Sequence, residues 1–196
     1  MLNVLVLGRN KKSVSKVNKS IKKYPNLKLS KKPEAIISLG GDGTYFYNER
    51  KYPGVPKLLV RDNSICNLCS IYDVKNIKSY LKKLNKKNFK VIKYLKLECK
   101  VKNKKLTAVN DIVIRNKNQY EAIRFNLKIN NKKVNNVIGD GIVICTPFGS
   151  TGYYKSMTKS FFTKGIGLAL NNPHNKEFHS VLNEKDIIKF KLLKSK

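Results

Sequence analysis

The sequence predicts an α/β chain in two lobes: a small N-terminal α/β lobe with a largely parallel sheet, then a β-rich second lobe. Three observations carry this. Up to Val60, short apolar runs alternate with helical periods and a glycine loop, the pattern of strands joined by crossover helices. After Leu84 the apolar period changes from about 3.6 residues to about 2. The 196 residues are enough for one large domain or two small lobes, each with a core.

Taken in order, Leu2 to Leu7 is a compact apolar run and reads as the first strand. Ser13 to Tyr24 carries Val14, Val17 and Ile21 at helical spacing until Pro25 stops it. Glu34 to Leu39 reads as a second buried strand, followed by a helix from Thr44 and a third strand over Lys57 to Val60. Asp73 is placed to cap a helix from Val74 to about Leu84, with Ile77, Leu81 and Leu84 as its apolar stripe. Strands are expected at Phe89–Tyr94, Leu97–Val101, Asp111–Ile114, Ile123–Ile129 and Ile142–Thr146, between "NKK", "NKNQ" and "NNKK" turns. The lobes are expected to span 1–72 and 73–196.

Charge narrows the choice of partners. The chain has 42 Lys plus Arg against 12 Asp plus Glu, a formal charge of +30, so its surface attracts polyanions. Only five of those cations are arginines, Arg9, Arg50, Arg61, Arg115 and Arg124, and the lysines are scattered among asparagines and isoleucines. No recognition motif or stacking segment accompanies the charge, so no sequence-specific nucleic-acid partner is expected. No run approaches the roughly 18 apolar residues of a membrane span. The start, "MLNVLVLGRNKK", has its basic cluster after the apolar run and reads as a strand instead of a signal peptide. A cytoplasmic enzyme is expected.

Four cysteines, Cys66, Cys69, Cys99 and Cys145, are too few and too irregular for a disulfide framework. Cys66 and Cys69 form a CxxC that His174 and His179 could complete as a zinc site, but the halves lie far apart and zinc-finger spacing is missing. Free thiols and no protein-held metal are expected.

Two stretches carry chemistry. In "LGGDGT", Gly40, Gly41 and Gly43 permit a backbone that brings amide groups close to an anion, and a following helix aims its positive end the same way. Asp42 would repel bare phosphate, so it needs another role: a magnesium ligand, an acceptor for a ribose hydroxyl, or the base that removes its proton. The other stretch, "VIGDGIVICTPFGSTGYYKS", follows a short β-run with a loop of Gly149, Ser150, Thr151 and Gly152, two tyrosines and a serine. Small hydroxyl residues there can bond a sugar or phosphate, and Tyr153 can flank a base. Between the two, "AVNDIVIR" sets Asn110 and Asp111 at a strand start, where they can read a purine edge or ribose hydroxyls, or simply form a turn.

At these stretches the chain resembles the NAD kinase family. "GGDGT" (Gly40 to Thr44), the pair Asn110 and Asp111, and "GDGIVICTPFGSTGYYKS" (Gly139 to Ser156) are similar to its three motifs in the family's order. The likeness is carried by residues 36 to 156. It implies transfer of a phosphoryl group from ATP or polyphosphate, with Mg²⁺ or another divalent cation, to the 2′-hydroxyl of the adenosine ribose of NAD. It also implies a site in the crevice between the lobes and a homo-oligomer. By motif, Asp42 would be the acid/base residue, Gly40, Gly41, Gly43 and Thr44 the phosphate cradle, and Asn110, Asp111, Thr151, Tyr153 and Ser156 the NAD contacts. No residue is expected to be a dedicated metal ligand.

The chain departs from the family in three places. It reads "VRDNSICNLCS" where a Gly-x-Leu-Gly-Phe loop is usual, Gly152 stands where alanine is usual, and little of the long C-terminal β section is expected after Met157. Two other classes share some features. Lipid kinases of the diacylglycerol type have the GGDGT loop, and a non-catalytic nucleotide- or nucleic-acid-binding protein would account for the charge but would leave Asp42 without a purpose.

Overall fold

The computed structural model describes residues 1–62 and 72–194, and the chain divides into two compact units, 1–92 and 93–196. In the first unit, β1 (Leu2–Gly8), β2 (Leu27–Leu29), β3 (Ala35–Leu39) and β4 (Lys57–Val60) form a sheet in the order β2-β1-β3-β4, with every pairing parallel. Strand β3, "AIISL", is buried along its whole length, as a central parallel strand covered on both faces must be.

Helix α1 (Lys11–Ile21) starts ahead of the expected Ser13, because Asn10 caps it by accepting the Lys12 and Ser13 amides at 3.0 and 3.3 Å. Helix α2 (Asp42–Lys51) follows the glycine loop. Its far end is fixed by a buried ion pair between Glu49 and Lys57. Glu49 also accepts the Gly54 amide at 2.9 Å, and the Lys57 ammonium donates to the Tyr52 and Val55 carbonyls at 2.7 Å each.

A 3₁₀ turn (Val74–Asn76) leads into helix α3 (Ile77–Asn85). Asp73 caps the turn as expected, accepting the Lys75 amide at 2.9 Å and pairing with Arg61 at 3.1 Å. Those two partners hold its carboxyl below the ordinary range. The stripe Ile77, Leu81 and Leu84 packs into one core with Val4, Val17, Ile21, Ile37, Leu39 and Val60. Helix α3, assigned from sequence to the head of the second lobe (73–196), therefore packs as part of the first unit. The change of period marks where this helix ends, and the compact units part between Ile92 and Lys93.

Phe89–Tyr94, expected as a strand, is not one: it pairs with nothing in a sheet, and Phe89, Val91, Ile92 and Tyr94 are all at least 45% exposed. Alternating apolar residues specify a buried face only where a neighbouring strand takes up the backbone groups.

The second unit is antiparallel throughout. A hairpin of β5 (Leu97–Val101) and β6 (Lys104–Ala108) precedes β7 (Asp111–Arg115), β8 (Ile123–Ile129), β9 (Lys132–Gly139) and β10 (Gly141–Cys145). After a 3₁₀ turn (Gly149–Thr151) come α4 (Tyr153–Thr158), β11 (Ile166–Asn171), β12 (His179–Leu182) and β13 (Ile188–Lys194). Two sheets result, β12-β11-β10-β7 and β13-β8-β9. Phe125, Leu127 and Val137 of one share a core with Ile142, Leu168 and Leu170 of the other. The residues after Met157, expected to hold little β structure, thus supply a central strand of one sheet and an edge of the other.

Candidate functional site

In the first unit, the sheet order sends the chain from β1 to β2 on one side and from β3 to β4 on the other. The switch lies between β1 and β3, and ligands of open parallel sheets bind outside the carboxyl ends of such a pair. The GGDGT run sits at that end of β3. Gly40 donates its amide to the Val60 carbonyl at 2.9 Å and adopts φ +147°, where a Cβ would collide with the Thr44 hydroxyl. Gly41 caps α2, its carbonyl accepting the Thr44 and Tyr45 amides at 3.0 and 3.3 Å.

The helix consequently starts at Asp42, two positions ahead of the expected Thr44. This places the Asp42 carboxylate in the first turn, where the macrodipole favours negative charge. Gly43 is exposed, with open space where a side chain would be. Thr44 is buried, and one turn on the buried Asn48 donates to the Ser38 hydroxyl at 2.8 Å, anchoring α2 to β3. Neither Asn48 nor Ser38 belongs to a motif, so sequence reasoning missed both.

In the second unit, Asp111 opens β7 and pairs in register with Cys145, the last residue of β10. Antiparallel pairing therefore brings "VND" and "CTPFGSTG" to the same end of one sheet. The junction is tight. The Thr146 amide donates to the Asn110 carbonyl at 2.8 Å, and the Thr146 hydroxyl donates to the Val109 carbonyl at 2.6 Å and accepts the Gly149 amide at 3.1 Å. Gly149 packs so closely on the Asn110 backbone that a Cβ would collide with the Asn110 carbonyl. Thr146 and Ser150 are fully buried, and Ser150 donates to the Pro147 carbonyl at 2.7 Å while accepting the Phe162 amide at 3.3 Å. Sequence reasoning did not single out Thr146 or a structural role for Ser150; the signal was a run of small hydroxyl residues directly after a buried strand.

The junction leaves two acceptors at the head of β7. The side-chain oxygen of Asn110, Oδ1, is buried without a hydrogen-bond partner. Beside it, desolvation raises the pKa of the half-buried Asp111 carboxyl. Burial, together with the charge of Asp111, pushes the Cys145 thiol up to about 12. Thr151 is exposed, Tyr153 is 38% exposed at the start of α4, and exposed Ser156 donates its hydroxyl to the Tyr153 carbonyl at 2.7 Å. Tyr154 instead points inward, edge-on to Phe162 at 5.3 Å. An added Cβ at Gly152 would meet the Gly149 carbonyl at 3.4 Å, an ordinary contact, so the family's usual alanine has room there. Asp140, at the opposite end of β10, is held by the Asn116 and Asn172 side-chain amides at 3.3 and 3.1 Å.

The second and third motifs thus meet in one unit, and GGDGT belongs to the other. Among the described residues no three His, Cys, Asp or Glu side chains are grouped to hold a metal. Cys66, Cys69 and most of the divergent 61–70 loop lie outside the described residues, whereas Cys99 and Cys145 are free thiols. No described helix is long and apolar enough to cross a membrane.

The model of the ATP-NAD kinase C-terminal domain matches residues 109–190, extending the likeness well past Ser156. An NAD kinase of Agathobacter rectalis is 40% identical over 90 residues, covering 44% of this chain and 32% of that one. An NAD kinase of Flavobacterium johnsoniae is 30% identical over 170 residues, covering 81% and 58%. The chain therefore spans less than two thirds of the length of either relative. The crystal structure of an NAD kinase from Archaeoglobus fulgidus in complex with ATP shares the fold, with a TM-score of 0.78 at 18% identity over 97% of this chain and 81% of that one. By family model over most of its second unit, by relatives in sequence and by fold along nearly its whole length, the chain is similar to NAD kinases.

Proposed function

We propose that this chain is itself an NAD kinase, moving a phosphoryl group from ATP or polyphosphate to the 2′-hydroxyl of the adenosine ribose of NAD and so forming NADP. The observation that carries this is the pair of acceptors at the head of β7. A buried acceptor without a donor costs about 1–3 kcal/mol. Asn110 Oδ1 is such an acceptor, next to a carboxylate that has also lost part of its water. A ligand offering an amino group and hydroxyls, as adenosine does, offsets both costs. Thr151, Tyr153 and Ser156 stand on the exposed side of the same turn, where Tyr153 can flank the base.

Asp42 is the proposed base. A ribose hydroxyl is a poor nucleophile at neutral pH, and a carboxylate that accepts its proton typically contributes about 10² to 10⁴ in rate. The 2′-oxygen forms the new bond to the terminal phosphorus, the bond from that phosphorus to its bridging oxygen breaks, and the shortened donor leaves. Gly40, Gly41, Gly43 and Thr44 bring the amide-rich start of α2 up to the phosphates. The chain offers Mg²⁺ no cage among its described residues, and none is required by an ion that keeps its waters and binds substrate phosphates. When bound with the donor it would neutralise phosphate charge. A homo-oligomer and a cytoplasmic location belong to the same proposal.

The test is a coupled assay for NADP with Mg²⁺ and either ATP or polyphosphate, run beside one offering diacylglycerol. NADP formation is the expected result. Phosphorylation of the lipid alone would reassign the chain to that kinase class, and NAD binding without turnover would make it a nucleotide-binding protein.

A further inference from the structure

The sheet β13-β8-β9 turns one face to the core, and its other face carries charge of one sign. Alternation along β8 buries Ile123, Phe125, Leu127 and Ile129 and turns Arg124, Asn126 and Lys128 outward. Residues directly opposite each other on paired strands share a face. Lys128 lies opposite both Lys189 of β13 and Lys133 of β9, so three lysines stand in one row across the sheet. The next row sets Lys191 opposite Asn126. Arg124, Lys133, Lys189 and Lys191 are exposed, and Lys128 is half-buried. The three strands together hold six lysines, one arginine and no acidic residue.

Such a row is unfavourable in itself, because like charges directly opposite each other repel. On the hairpin of β5 and β6, Lys105 has a carboxylate partner in Glu98. The three strands here supply no such partner. Lysine on an edge strand hinders pairing with other chains. That accounts for Lys133 and Lys189, on the two edges, but not for Lys128 on the central strand.

The face therefore suits a partner with closely spaced negative charges. Neighbouring strands lie about 4.8 Å apart and alternate residues about 6.8 Å apart, so the cations form a grid. None of the outward residues is aromatic. The two phenylalanines of these strands, Phe125 and Phe190, stack on each other in the core at 4.8 Å. The Asn126 side-chain oxygen is taken up by the Asn136 amide at 2.8 Å. Without a stacking platform the face meets phosphates and not bases, which favours a duplex over a single strand. Nor do the outward residues include the large apolar side chains that insert into a lipid surface.

We infer that the outer face of β13-β8-β9 binds the phosphate backbone of a double-stranded nucleic acid without reading its sequence. Arg124, Lys128, Lys133, Lys189 and Lys191 neutralise phosphates and release their counterions. The phosphate relieves the repulsion within the lysine row. None of the residues given a role in the NAD kinase function lies on these strands, so the two proposals stand or fall separately.

The experiment follows the fluorescence anisotropy of a labelled random-sequence DNA duplex, and of an RNA duplex, over a series of salt concentrations. It compares the wild type with the triple variant Lys128→Gln, Lys133→Gln, Lys189→Gln. A second triple, Lys12→Gln, Lys16→Gln, Lys19→Gln, removes the same charge from exposed positions of α1 and controls for general basicity. With five cations on phosphates, log K against log salt has a slope of about −4.5, and the sheet triple reduces its magnitude by about 2.7. Its affinity at low salt falls about tenfold or more, and the control keeps the wild-type slope. Equal weakening with both duplexes supports the site with the shared backbone in it, and weakening with one alone supports it with that kind of duplex. If the sheet triple fails to fold, Lys128→Gln alone, checked by circular dichroism, must still reduce the slope by about 0.9. Sheet and control triples that weaken alike overturn the face. Wild-type protein that binds vesicles containing phosphatidylserine but neither duplex overturns it as well.

Discussion

The two sheet ends that carry the motifs are built in opposite ways. At the end of β3, one continuous run makes a turn and begins a helix: Gly40 lies under Thr44, Gly41 caps its own helix, and Asp42 stands in the first turn. At the head of β7, the pieces come from segments more than thirty residues apart, and the buried Thr146 hydroxyl and amide clamp one backbone onto the other. The first end presents a positive helix terminus and open space at Gly43, as suits phosphate. The second presents acceptors stripped of water, as suits a base and a sugar. Charge is met in one place and hydrogen-bond donors in the other, a division that suits the phosphoryl transfer proposed above.

The largest expected effect lies at the first end. Asp42→Asn keeps the shape of the turn but cannot take the proton, so turnover should fall by about 10² to 10⁴ while NAD still binds. Steady-state kinetics beside direct NAD titration separates the two quantities. At the second end the matching loss is in binding. Asn110→Ala should weaken NAD by about tenfold to a hundredfold, with a stability close to wild type, because the oxygen it removes has no partner to lose. Calorimetric titration and urea unfolding of the same variant check both halves.

Glycine substitutions sharpen the contrast. Gly149→Ala drives a methyl group into the Asn110 carbonyl and should cost about 1–3 kcal/mol in urea unfolding, with weaker NAD binding. Gly43→Ala meets nothing, sits in a helical turn and should stabilise the fold by about 0.5–1 kcal/mol.

The smallest effects follow from pH. The Cys145 thiol titrates at about 12 in the fold against 9.0 ordinarily, so its neutral form is favoured there. That contribution to stability is complete below pH 9 and is lost as the pH rises towards 12. At pH 8 Cys145 should react with iodoacetamide far more slowly than the partly exposed Cys99. Asp111, raised by desolvation, favours the fold only when protonated and opposes it once ionised at neutral pH. Asp111→Asn should therefore raise the Tm at pH 7 while weakening NAD, a pairing that a purely structural turn would not give.

How much could be read from the sequence follows the same divide. The β1, β3, β4 and α3 segments, the cap at Asp73 and the glycine loop were legible because propensity, apolar spacing and capping are local properties. Strand β8 was legible for the same reason, its residues alternating between core and surface. The segment Phe89–Tyr94 is as rich in apolar and aromatic residues and forms no strand, since pairing depends on a neighbour that the pattern does not specify. Helix α3 was recognised but assigned to the wrong side of the unit boundary, because a stripe does not name the sheet it covers. The site divides likewise. Asp42 and its glycines stand in one run, whereas the grip of Thr146 and Gly149 on Asn110 depends on the pairing of β7 with β10. That pairing joins residues separated by more than thirty positions.

One measurement bears most directly on the proposal that the two ends serve one reaction. Wild-type protein is incubated with NAD and Mg²⁺–ATP, the product is followed with an NADP-specific dehydrogenase, and phosphorus NMR locates the new phosphate on the ribose. A parallel reaction uses NAD lacking the 2′-hydroxyl. The proposal predicts one NADP for each ADP, phosphate on the 2′-oxygen, no transfer to the deoxy analogue although it binds, and near loss of the signal in Asp42→Asn. Phosphate at any other position, or Asp42→Asn turning over at the wild-type rate, would contradict it.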